Sequence, residues 1–76
     1  MKNRMTQQSR ANVETVTSAR LHYMAGSYTV ELIGTQNRRA WVNTAEGPAM
    51  YPTAELAKRA LRRLNPTISI SHAPTI

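Results

Sequence analysis

The chain has 76 residues, with no cysteine, no phenylalanine, one tryptophan and three tyrosines, and its ten lysines and arginines against four acids give a net charge of +6. Those figures allow one domain with a small core and exclude a disulfide or a cysteine-ligated zinc as its staple. A core so short of large apolar side chains must pack tightly or be shared with a second copy, so a homodimer is an open expectation. The charge favours nucleic acid, an anionic surface or an acidic protein as partner. The polar start lacks the apolar stretch of a secretory signal, and no apolar run reaches membrane-spanning length, so a cytoplasmic protein without membrane contact is expected.

Residues 1–12, MKNRMTQQSRAN, carry Lys2, Arg4 and Arg10 and no acid. Too little apolar surface is present there to offset the entropy of ordering, which predicts a flexible basic arm. A single domain is expected over 13–71, followed by a loose tail at 72–76.

From Val13 the residues are β-branched and then alternate, with Ala19, Leu21 and Tyr23 on one face and Arg20, His22 and Met24 on the other. Ala25-Gly26-Ser27 supplies a tight turn in which Gly26 takes a positive φ. SYTVELI is the clearest strand, placing Tyr28, Val30 and Leu32 opposite Ser27, Thr29 and Glu31. A second turn at 34–37 leads into RRAWVN, a third strand with two possible registers. Either Ala40 and Val42 face the core and Trp41 is outside, or Trp41 is buried; a slip of one residue exchanges the two sets. TAEGP is a third turn, and Ala49-Met50-Tyr51 is a candidate edge strand.

The helix that follows is the best-marked element. Thr53 is its N-cap, Glu55 suits the first turn, and Asn65-Pro66 ends it. Leu56, Ala57, Ala60, Leu61 and Leu64 are its expected apolar face. A final alternating run, TISIS, is a candidate returning strand. The order is that of an α+β protein: a small antiparallel sheet of three to four strands with one amphipathic helix packed on one face.

Two constellations are candidates for binding. Lys58, Arg59, Arg62 and Arg63 share one helix face, with Glu55 placed to pair with Arg59. They form either a phosphate-contacting ridge or the solvated side every amphipathic helix needs; arginine's fork favours the first use. Arg20, His22, Arg39 and Trp41 share the far face of the sheet in one register, with Thr29 and Glu31 between them and Arg38 adjacent. A basic face with an exposed aromatic suits a nucleic acid backbone or base. The alternative is that Trp41 fills the core of a chain without phenylalanine. Neither His22 and His72 nor the separate glutamates Glu14, Glu31, Glu46 and Glu55 match a catalytic or metal-binding spacing, so no enzyme, cofactor or metal is expected.

The segments MAGSYTVELIG and TAEGPAMYPTAELAKRALRRL resemble a group of short bacterial domains of unassigned function. The likeness rests on Gly26, Tyr28, Val30, Glu31, Gly47, Pro48, Tyr51 and Thr53, and it implies the hairpin and helix but no activity. Tyr51, Thr53 and Ala57 are also similar to the helix entry of the sheet-plus-helix arm-type DNA-binding domains of phage integrases. That likeness implies a sheet turned toward DNA through Arg20, Arg39 and Trp41, with the helix as backing. The leading expectation is a non-enzymatic domain that contacts nucleic acid through a basic sheet face and arm. The rival is a protein-interaction module: a dimer, an adaptor, or a phage- or plasmid-encoded inhibitor of a host protein.

Overall fold

The computed structural model describes residues 4–74. Its elements run α1 (Gln7–Thr15), β1 (Ser18–Met24), β2 (Ser27–Ile33), β3 (Arg39–Trp41), β4 (Asn43–Thr44), β5 (Gly47–Pro48), α2 (Ala54–Leu64) and β6 (Ser69–His72), with a 3-10 turn at Thr35–Asn37. The α+β class is as the sequence implies. Two details differ: a second helix is present, and the main sheet is mixed rather than purely antiparallel.

The β1–β2 hairpin forms as its alternation requires, with Leu21 opposite Val30 and Ala19 opposite Leu32. Its two-residue turn holds both Ala25 (φ 51°) and Gly26 (φ 83°) in the left-handed region, the backbone twist that a tight hairpin needs. Ala25 bears a Cβ there and is strained where Gly26 is not. β3 pairs antiparallel with the outer edge of β2, and β6 pairs parallel with β1, giving the strand order β3-β2-β1-β6. The parallel pairing follows from the route of the chain. After β3 a short β4–β5 hairpin turns back, Tyr51 bridges to Tyr28, and α2 then crosses the sheet to the far edge. A helical crossover brings β6 to the start of β1, so the two strands run the same way.

Residues 7–12 of the expected flexible arm are instead helical, and the same helix takes Val13 to Thr15 from what reads as the beginning of β1. Met1 to Asn3 lie outside the described residues. α1 is held by polar contacts rather than by an apolar stripe. Thr6 caps it by accepting from the Ser9 amide, while Ser9 Oγ accepts from the Asn43 amide at 2.8 Å and the Thr6 amide donates to the Asn43 carbonyl. Val13 is the one large apolar side chain that α1 buries.

α2 follows its sequence signals closely. Thr53 Oγ1 accepts from the Leu56 amide, Glu55 lies in the first turn, and Arg62 and Arg63 lie in the last. Ala57 and Leu61 are fully buried against the sheet, whereas Leu56, assigned to the apolar face from sequence, is 40% exposed. The stripe on the core thus runs through Ala54, Ala57, Ala60, Leu61 and Leu64, with Leu56 at its exposed margin. Beyond the helix, the Asn65 side-chain Nδ2 donates to the carbonyls of Val13 and Val16 at 2.9 and 2.8 Å, tying the ends of the two helices together.

The core lies between this helical layer and one face of the sheet: Leu21, Val30, Leu32, Val42, Leu61 and Ile68, filled in by alanines and closed by Val13 and Tyr51. Tyr51 is the one aromatic ring among its buried residues, with the half-buried Tyr28 packed against them, and burial pushes the Tyr51 phenol pKa up. Among the described residues no helix is long and apolar enough to cross a membrane. The expected tail begins within β6, whose last residue is His72; the Ala73 amide still donates to the Leu21 carbonyl, and residues 75–76 lie outside the described part.

Candidate nucleic-acid interface

The register of β3 is set by Ala40 opposite Leu32 and Trp41 opposite Glu31. Partners directly opposite share a face, so Ala40 joins the core side and Trp41 the other. Val42 follows into the core, fully buried, and its amide donates to the Val30 carbonyl. Trp41 is therefore not the missing core aromatic. It stays 42% exposed on a sheet face that no helix covers.

The same pairing brings the predicted neighbours into one patch. Glu31 has Arg20 opposite it on β1 and Trp41 opposite it on β3; His22 and Arg39 stand one step along on either side. His22 Nε2 lies 3.0 Å and Arg39 Nη1 3.4 Å from the same carboxylate oxygen, Glu31 Oε1. An ionised carboxylate only accepts, so His22 carries its proton on Nε2 in this contact. The His22 and Trp41 rings touch at a tilt, with centroids 5.0 Å apart.

Glu31 is 9% exposed. Burial pushes its pKa up, but the hydrogen bond from His22 and the charge and hydrogen bond of Arg39 outweigh that and hold the carboxyl below its ordinary range. A lowered folded-state pKa contributes stability that is complete above the unfolded value and is lost as pH falls through the folded one. Glu31→Gln should therefore cost about 1–2 kcal/mol at neutral pH. The gap to wild type should begin to close below about pH 4.3, where the unfolded glutamate takes up its proton. Urea unfolding of both proteins at neutral and acid pH measures this; a gap that widens in acid contradicts it.

The other predicted residues lie elsewhere. Arg38 is exposed in the β2–β3 connection, where it lines a shallow groove with Asn12, Thr15 and Thr35 at the end of α1. Arg59, Arg62 and Arg63 are exposed on the outer side of α2, across the molecule from Trp41, and Lys58 sits half-buried on the helix flank. Glu55 pairs with Lys58 at 3.7 Å, three residues on, rather than with Arg59. Arg10 is exposed on α1, within the helical layer and apart from the open sheet face. Arg20, Arg39 and Trp41 are thus brought together, and the helix quartet forms a second, separate basic surface.

Thr29 was not singled out by the sequence beyond its place on this face. It is 2% exposed, and its buried hydroxyl has no hydrogen-bond partner among the described residues. Among the described residues no group of three or more histidines and acids is placed to hold a metal ion. Tyr51, Thr53 and Ala57, which carry the likeness to arm-type DNA-binding domains, serve as core ring, helix cap and core contact. Comparison of the chain with protein-family models, with curated proteins and with solved structures brings no match.

Proposed function

We propose that this is a small non-enzymatic binding domain that contacts nucleic acid through the open face of its sheet. The observation that carries the reading is Trp41, half-exposed on a helix-free face, with Arg20 in its row and Arg39 beside it. An indole left facing water in a chain so poor in large apolar side chains gives up burial that the core needs, which is consistent with a use at the surface. The net charge of +6 supplies long-range attraction for a polyanion.

The salt dependence of binding separates this face from the α2 ridge. Two arginines on a duplex predict a slope of about −2 in log K against log salt, whereas the four cations of α2 predict nearly −4. Fluorescence anisotropy of a labelled duplex and a labelled single strand, titrated over a range of salt, measures it. A slope near −2 supports the sheet face, and a steeper one transfers the contact to Lys58, Arg59, Arg62 and Arg63. Absence of any anisotropy change at low salt sinks the nucleic-acid reading. A concentration-dependent, salt-insensitive dimer that buries Trp41 would establish the protein-interaction module in its place.

A further inference from the structure

His22 and Trp41 stand on strands that flank β2 from opposite sides, yet their rings touch. Adjacent strands are spaced about 4.8 Å apart, so the two backbones are separated by nearly twice that and the rings must lean over β2 to meet. Thr29 and Glu31 lie under that bridge. Glu31 is opposite Trp41 and Thr29 opposite His22, so the two rings help to bury both on a face with no helix above it.

Two polar functions beneath the bridge remain unsatisfied. Among the described residues the Thr29 hydroxyl has no partner. Both hydrogen bonds that Glu31 makes among the described residues fall on Oε1, and its side chain keeps 11% of its surface exposed, which leaves Oε2 as the second acceptor. An open ring face, an unpaired acceptor, an unpaired hydroxyl and two flanking guanidiniums are the complement of one unpaired nucleotide and its neighbouring phosphates.

We infer that this face takes single-stranded nucleic acid, stacks a base on the open side of the Trp41 indole, and uses Glu31 Oε2 to select bases that carry an exocyclic amino group. The inference rests on the nucleic-acid reading above and narrows it. In a duplex the base faces are hidden by their neighbours, so the indole has nothing to stack on; a single strand exposes them. A carboxylate oxygen needs a donor. Cytosine and adenine offer an amino group where thymine and uracil turn a carbonyl, and guanine offers its amino group at C2 instead. Arg20, directly across from Glu31, and Arg39, two residues from Trp41, are placed for the phosphates on either side.

Trp41 is the only tryptophan of the chain, so intrinsic indole fluorescence reports on this face alone. The test titrates the full chain at low salt with strands of about eight nucleotides, a typical single-strand site size, made of cytosine or of thymine, and with a blunt duplex. Anisotropy of the labelled oligonucleotide is read in parallel. The cytosine strand should quench Trp41 saturably and bind about tenfold more tightly than the thymine strand, the lower end of what one well-made base contact discriminates. Glu31→Gln should abolish that ratio, and the duplex should leave the indole unquenched. Quenching with equal affinity for both strands overturns the selection by Glu31. Binding seen by anisotropy without any quenching overturns the inference and leaves the nucleic-acid reading standing on another surface. No binding by either signal overturns both. Quenching that grows with protein concentration in the absence of oligonucleotide assigns the face to a second copy and overturns the inference as well.

Discussion

Leu61→Ala should remove most of the stability of this protein. Leu61 is fully buried where α2 meets the sheet, and truncating such a leucine costs about 3–5 kcal/mol in lost transfer energy and residual cavity. A chain of this length has only about 4–11 kcal/mol in total. With no phenylalanine in the sequence and Tyr51 the one buried ring, few large neighbours can relax into the gap. The thermal midpoint should fall by roughly 15–30 °C, read by far-ultraviolet circular dichroism. Leu56→Ala on the same helix is the control. Its side chain is 40% exposed, so it should cost about 1 kcal/mol or less. Equal losses in the two variants would mean that the helix is rotated about its axis relative to the structure described here.

The second large effect is expected at Asn65. Its amide donates to two carbonyls at the end of α1, groups that a helix terminus leaves without partners of its own. Asn65→Ala should cost about 2–3 kcal/mol, since two partly buried acceptors lose their donor at once. Asn65→Asp should cost more. It replaces the donor with a carboxylate that faces the same two oxygens and sits at the negative ends of both helix dipoles. Urea unfolding gives the totals, and amide hydrogen exchange shows where the loss falls. Protection should drop first in residues 7–15, because Asn65 is the main polar tie between that helix and the second one. An alanine variant within about 0.5 kcal/mol of wild type, the range of an ordinary surface substitution, would refute that role.

Asn65 also shows what was legible in the sequence and what was not. Asn-Pro reads as the end of α2, because its cause is local: proline constrains the residue before it. The side-chain bonds of the same asparagine reach 52 and 49 residues back along the chain, and nothing local announces them. The β1–β2 hairpin, the third turn, the Thr53 cap and the α+β class are legible for the same local reason. α1 is not, because its anchors are Thr6, Ser9 and Asn43 rather than an apolar period. A polar segment of this composition reads as an arm unless its distant partners are known.

The open face was half legible. Alternation groups Arg20, His22, Arg39 and Trp41 once a register is assumed, but either register satisfies the composition. Trp41 is settled by Ala40 and Val42, the smaller side chains that fit beneath the helices. The bridge of His22 and Trp41 over Thr29 and Glu31 is a three-strand arrangement, invisible to any pairwise pattern.

The parallel placement of β6 has a consequence for the order of assembly. Ser71 and Ala19, which meet across that pairing, are 52 residues apart, whereas the β1–β2 hairpin closes through a turn of two residues. The hairpin can form on its own within microseconds, but the β6 edge must wait until α2 has been seated and the intervening loop has been closed. Until then β1 presents a bare row of amides and carbonyls to solvent. The interval between hairpin closure and the arrival of β6 is therefore when a nascent chain is most exposed to mispairing with another copy.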